Sequence, residues 1–174
     1  MLDTLIQSKT RLKLLLRFFL NPDSSAYLRG LAQEFDESTN SVRVELNRFE
    51  ESGLIEGHKE GNKKMYRVNR KFPMFDELQK IAFKHFGIDQ IIEQIVENLG
   101  EVHAVYLTGD LARGLETTIV DVIIIGEDID TQYLAKLVEK AEKLVDRRIR
   151  TLVYEPNDKI EIEEPKLLGF GEGI

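Results

Sequence analysis

Between Thr39 and Asn69 the chain changes its hydrophobic period, and that change limits the folds open to it. Val42, Leu46 and Phe49 recur at helical spacing in TNSVRVELNRFEE, whereas LIEGHKEGNKKMYRVN, residues 54–69, reads as two β-like runs around Gly61-Asn62. A period near 3.6 buries one helix face, and a Gly-Asn turn between extended runs closes a hairpin. Gly53 stands between the two patterns, where a left-handed residue ends a helix. Ser38 is the expected N-cap, its hydroxyl accepting from a free amide of the first turn.

Two more helices are expected upstream. Leu12, Leu15, Leu16 and Phe19 stripe residues 9–20, NPDSS (21–25) stops that helix, and AYLRGLAQEF (26–35) buries Leu28, Leu31, Ala32 and Phe35. Downstream, KFPMFDELQKIAFKHFG (71–87) repeats Phe72, Phe75, Leu78, Ile81, Ala82 and Phe86, and IDQIIEQIVENLG carries a second stripe closed by Gly100. The aromatic density of 72–86 predicts a packed connector, set between domains or forming a dimer seam. From residue 101 the pattern becomes strand (101–109), strand (119–125), helix (130–146) and strand (148–155), with KIEIEE and KLLGF (159–170) as short late strands. That order predicts an α/β layer with a small mixed sheet. The expected organisation is a two-domain α+β chain: residues 1–70, a connecting helix 71–87, and residues 88–174.

Charge divides the same way. Residues 1–87 hold 15 Lys+Arg and 12 Asp+Glu, and residues 88–174 hold 9 and 19, so a basic half precedes an acidic one within a total of −7. Such asymmetry predicts modules with different partners. No apolar run approaches the roughly 20 residues of a membrane span. The N-terminus, broken by Lys and Arg, reads as a helix and not a signal peptide. The chain contains no cysteine, which excludes a disulfide framework and a thiolate metal site and makes a cytoplasmic setting the expectation.

The stretch LAQEFDESTNSVRVELNRFEESGLI, with the hairpin after it, resembles the ArsR-type and related winged helix-turn-helix transcriptional regulators over residues 9–70. That resemblance implies double-stranded DNA as partner and a homodimer as the working form. The residue types agree. Asn40, Arg43 and Asn47 lie at i, i+3, i+7 on the outer helix face, and Arg and Asn suit guanine and adenine edges. Ser38, Thr39 and Ser41 suit phosphate contact at a helix N-terminus. On the hairpin, His58, Lys59, Asn62, Lys63 and Lys64 suit the DNA backbone or the minor groove. Glu45, Glu50 and Glu51 on the same helix weigh against an anionic partner.

The stretch VYLTGDLARGLETTIVDVIIIG, residues 105–126, resembles the nucleotidyltransferase domain of the DNA polymerase β-like superfamily, over about residues 88–155. Gly109, Ala112, Arg113 and Gly114 match its turn, and Asp121 stands where the first acid of an Asp-x-Asp pair belongs. In active members such a pair holds two Mg²⁺ ions, because acids at i and i+2 share one strand face. Here Ile119 and Ile123 occupy both i−2 and i+2, Asp110 replaces a phosphate-contacting serine, and the later strand offers Arg148 and Arg150 where an acid is expected. The resemblance therefore implies a degenerate, non-catalytic domain without cofactor, serving sensing or oligomerisation, with a nucleotide or other small molecule as candidate effector. Gly109, Arg113, Gly114, Arg148 and Arg150 are the residues expected to meet an anion. Two other readings stay open: an active Mg²⁺-dependent nucleotidyltransferase, and a protein-interaction module of antitoxin type.

Overall fold

A serine and a run of leucines set the first long helix. The Ser8 hydroxyl accepts from the Arg11 amide at 3.2 Å, and helix α2 (Lys9–Leu20) follows a single turn, α1 (Leu2–Leu5). Helix α2 is buried on more than the expected stripe: Leu14, Phe18 and Leu20 are as enclosed as Phe19. Residues 14–20 are buried on every side, as a helix end set in a core is, and α2 packs against α4, α5 and β3. Its one enclosed cation, Arg17, donates through Nε to Glu34 at 3.1 Å and through Nη1 to Ser24 at 2.6 Å.

The computed structural model describes residues 2–95, 98–99, 101–161 and 166–167. It divides into two compact units, one of Met1–His85 with Gly114–Glu116, the other of Phe86–Arg113 with Thr117–Ile174. Both mix helices with a small sheet.

In the first unit, β1 (Ala26–Tyr27) precedes α3 (Leu28–Phe35) and α4 (Thr39–Glu51), and then come β2 (Ile55–Glu60), β3 (Lys63–Val68) and α5 (Phe75–His85). The helix expected from residue 26 starts at Leu28, because Ala26 and Tyr27 pair with Tyr66 and Met65 as an outer strand of the sheet. Asp36 closes α3 in the left-handed region (φ 53°). Ser38 caps α4 as expected, accepting from the Ser41 amide at 3.1 Å, and Gly53 ends it at φ 80°. Strands β2 and β3 pair without a slip from Ile55↔Val68 to Glu60↔Lys63 around Gly61 at φ 60°. Helix α5 packs on α2 within this unit: the Phe75 and Phe19 ring centroids are 5.7 Å apart, and Gln79 donates to the Phe19 carbonyl at 3.3 Å.

The second unit runs α6 (Ile88–Ile95), β4 (Val102–Thr108), α7 (Gly109–Ala112), β5 (Ile119–Gly126), α8 (Thr131–Val145), β6 (Arg148–Tyr154) and β7 (Lys166–Leu167). Its sheet has the order β6-β5-β4-β7, with β5 and β6 parallel and the other pairs antiparallel. One sheet face is sealed: Val105, Leu107, Val120, Val122 and Ile124 are at most 2% exposed. Alternation along each strand puts Thr108, Asp121 and Arg150 on the opposite face, where Ile125 is half-buried and Leu152 is exposed. Residues 159–161 form no strand, and the rest of the late-strand expectation, apart from β7, lies outside the described residues. Among the described residues no helix is long and apolar enough to cross a membrane.

Candidate nucleic-acid interface

Helix α4 has two faces with opposite chemistry. Val42, Leu46 and Phe49 are buried. Thr39, Asn40, Arg43, Val44 and Asn47 are exposed. Ser38 and Ser41 stand at the start of the helix with their hydroxyl oxygens 2.8 Å apart.

The three acids of α4 behave differently from their sequence reading. Glu45 points inward and is 5% exposed. Its carboxylate accepts from Arg11 Nε at 2.8 Å, Arg11 Nη2 at 3.3 Å, Ser8 Oγ at 3.1 Å and Arg48 Nη1 at 3.1 Å. Burial pushes this carboxyl up, but the Arg11 and Ser8 hydrogen bonds and the charges of Arg11 and Arg48 outweigh it and hold it below the ordinary carboxylate range. Glu50 pairs with Lys64 at 2.7 Å. Glu51, at the last turn, is exposed and has no ion pair among the described residues. The carboxylates that weigh against an anionic partner are thus largely turned inward or matched by a cation.

The hairpin shows the converse. Lys63 lies 4.2 Å from the centroid of the Tyr27 ring. Lys64 serves Glu50 and stands 5.0 Å from the Tyr66 ring, and the Glu50 hydrogen bond raises its pKa above the usual lysine value. Lys59 and Asn62 are exposed, and Lys59 lies opposite Lys64 across the hairpin. His58 is 4.0 Å from Glu60.

Sequence reasoning missed two members of this surface. Val44 is 41% exposed on the face that carries Arg43 and Asn47. Its phase, two residues from buried Val42 and two from buried Leu46, was the available signal. Arg48 is exposed beside Asn47 while one of its nitrogens serves Glu45.

The glycine-bearing turn of the second unit is also well defined. Gly109 has φ 68°, and a Cβ added there would stand 2.5 Å from Asp121 Oδ2. Thr108 and Asp121 are register partners, which brings the turn and the acid together. The carboxylate of Asp121 meets a guanidinium. Arg150, its partner on β6, donates to it from Nε at 2.5 Å and from Nη2 at 2.8 Å. Asp110 is 3.3 Å from Arg113, and Arg148 is 3.5 Å from Glu142. Each arginine expected to meet an anion therefore already faces a carboxylate of this chain. Gly114, the last of that group, has φ 79°. Among the described residues no cluster of three or more His, Asp or Glu side chains is arranged to hold a metal ion.

No family model matches the chain, and no curated protein does. Among solved structures it is similar to reduced HlyU from Vibrio cholerae N16961, at 16% identity and TM-score 0.38, covering 48% of this chain and 82% of that one. It is also similar to AF1382 from Archaeoglobus fulgidus, at 25% identity and TM-score 0.38, covering 56% of this chain and 99% of that one.

Proposed function

We propose that the first unit is a winged helix that binds double-stranded DNA, and that the chain is a transcriptional regulator. The carrying observation is the outer face of α4, where Asn40, Arg43, Val44 and Asn47 are exposed while Glu45 is turned inward onto Arg11 and Arg48. Arg43 and the two asparagines have the donor and acceptor sets that read guanine and adenine, and Val44 offers methyl contact to thymine. Ser38 and Thr39 at the helix start, with Lys59 and Asn62 on the hairpin, are the phosphate contacts. Lys63 and Lys64, held by Tyr27 and Glu50, stiffen the hairpin more than they reach outward.

In this reading the second unit is a non-catalytic nucleotidyltransferase-like domain that serves oligomerisation. Its support is the Asp121–Arg150 pair: a guanidinium fills the space in which the acid would otherwise take a cation. The deciding experiment selects duplexes from a random pool with the full chain and titrates the winner against salt. Enrichment of one sequence, with affinity falling steeply as salt rises, supports the reading, because phosphate contacts release counterions. No enrichment, together with Mg²⁺-dependent transfer from a nucleoside triphosphate that Asp121→Ala abolishes, would replace it with the enzymatic one.

A further inference from the structure

Strand β6 is the outermost strand of the second sheet, and among the described residues no strand pairs with its free side. A free edge invites pairing with another chain, and proteins ordinarily blunt one with proline, lysine, a bulge or a very short strand. Charged side chains serve the same end, and β6 carries them only at its start, as Arg148 and Arg150. It is seven residues long, RIRTLVY, and pairs with β5 in unbroken register from Ile119↔Arg148 to Ile125↔Tyr154. Its two arginines touch Glu142 and Asp121 yet keep side chains 81% and 67% exposed, so they remain open to acids of a second chain.

Both elements at this edge expose apolar side chains. Among the described residues of the second unit, the large apolar side chains most open to solvent are Tyr133 at 41%, Leu144 at 55% and Leu152 at 57%. All three belong to β6 or to α8, which packs beside it. The edge is also polarised along its length, with Arg148 and Arg150 at its start and Glu155 and Asp158 just past its end. A two-fold axis reverses one copy relative to the other, so each basic start meets an acidic end, as a self-matching interface requires.

We propose that β6 and α8 are the surface on which a second copy of this chain docks. The two β6 strands run antiparallel about an axis near Thr151 and Leu152, the sheets join into one, and the α8 helices lie antiparallel, Leu144 of one copy against Tyr133 of the other. The proposal places the dimer that the DNA-binding reading invokes, yet it stands without DNA.

Sedimentation velocity on the full chain tests it. The wild type is expected at dimer mass at micromolar concentration. Leu152→Glu is expected to give monomer, and Leu144→Lys to weaken the dimer at least about tenfold, as loss of a central apolar anchor does. Both positions are exposed, and circular dichroism melts check that the variants fold. The chain has no cysteine, so Leu152→Cys should yield an oxidised, covalently linked dimer on a non-reducing gel while Val44→Cys does not. A monomeric wild type overturns the proposal, and so does a dimer indifferent to both charged variants with no cross-link at position 152. A dimer that ignores every duplex refutes the DNA reading alone, and a monomer that shifts duplex DNA refutes this proposal alone.

Discussion

The two units each set a guanidinium against a carboxylate, and the settings differ. In the first, Glu45 has a side chain 7% exposed and accepts from three residues on two elements. In the second, Asp121 has a side chain 22% exposed, and its partner among the described residues is Arg150, 67% exposed. Removing a buried carboxylate's donors leaves a charge that water cannot reach, whereas a half-buried carboxylate paired with an exposed guanidinium falls back on solvent at less cost. The same residue types thus fix the orientation of a helix in one place and fill a surface position in the other.

The sharpest way to break that contrast is Arg11→Ala. Glu45 would keep Ser8 and Arg48 but lose both Arg11 hydrogen bonds, at 2.8 and 3.3 Å, and a hydrogen bond to a charged group contributes about 1.5–3 kcal/mol. Because Arg11 is itself 39% exposed, a total loss of about 2–3 kcal/mol is expected in urea denaturation, below the roughly 3–5 kcal/mol of a fully buried pair losing a partner. An unchanged midpoint would show that Glu45 is not a structural centre. Arg43→Ala comes next: it should cost about 1–3 kcal/mol of affinity for the selected duplex, concentrated at one base pair, with fold stability untouched. A uniform loss across sequences would reassign Arg43 to a phosphate.

A smaller effect follows from acid. The Glu45 carboxyl is held below its unfolded value, so its contribution is fully present above the unfolded pKa and fades as pH falls through the folded one. Wild-type stability should therefore fall below about pH 4.5 more steeply than that of Glu45→Gln, followed by denaturation at successive pH values. Smallest of all is Asp121→Asn. Calorimetry should show no resolvable change in melting midpoint, since its partner is solvent-exposed. A large drop would place Asp121 at a structural centre like that of Glu45.

Much of the first unit was legible because its signals are local. Helical spacing gave α2 and α4, Ser38 marked a cap, Gly53 a stop and Gly61-Asn62 a turn. Strand β1 was not legible, because two residues carry no period and Ala26-Tyr27 continue smoothly into the helical stripe of α3. Glu45 was read as an outward acid since carboxylates normally face water. Its phase, three residues after Val42 and four before Phe49, pointed inward, but its partner Arg11 lies 34 residues away and no spacing rule reaches that far. The same limit hid Arg150 from Asp121, 29 residues apart and joined only by the parallel register of β5 and β6. The composition of the α4 face was readable residue by residue, whereas the fate of its acids depended on pairings that only the fold creates.

Strand β1 and the Lys63–Tyr27 stack have a consequence for any encounter with a large ligand. They fasten the hairpin to the chain segment that leads into α3, so the hairpin tip and the outer face of α4 cannot drift apart as separate pieces. The loss of freedom needed to align those two surfaces is met when the protein folds, and little is left to be met on contact.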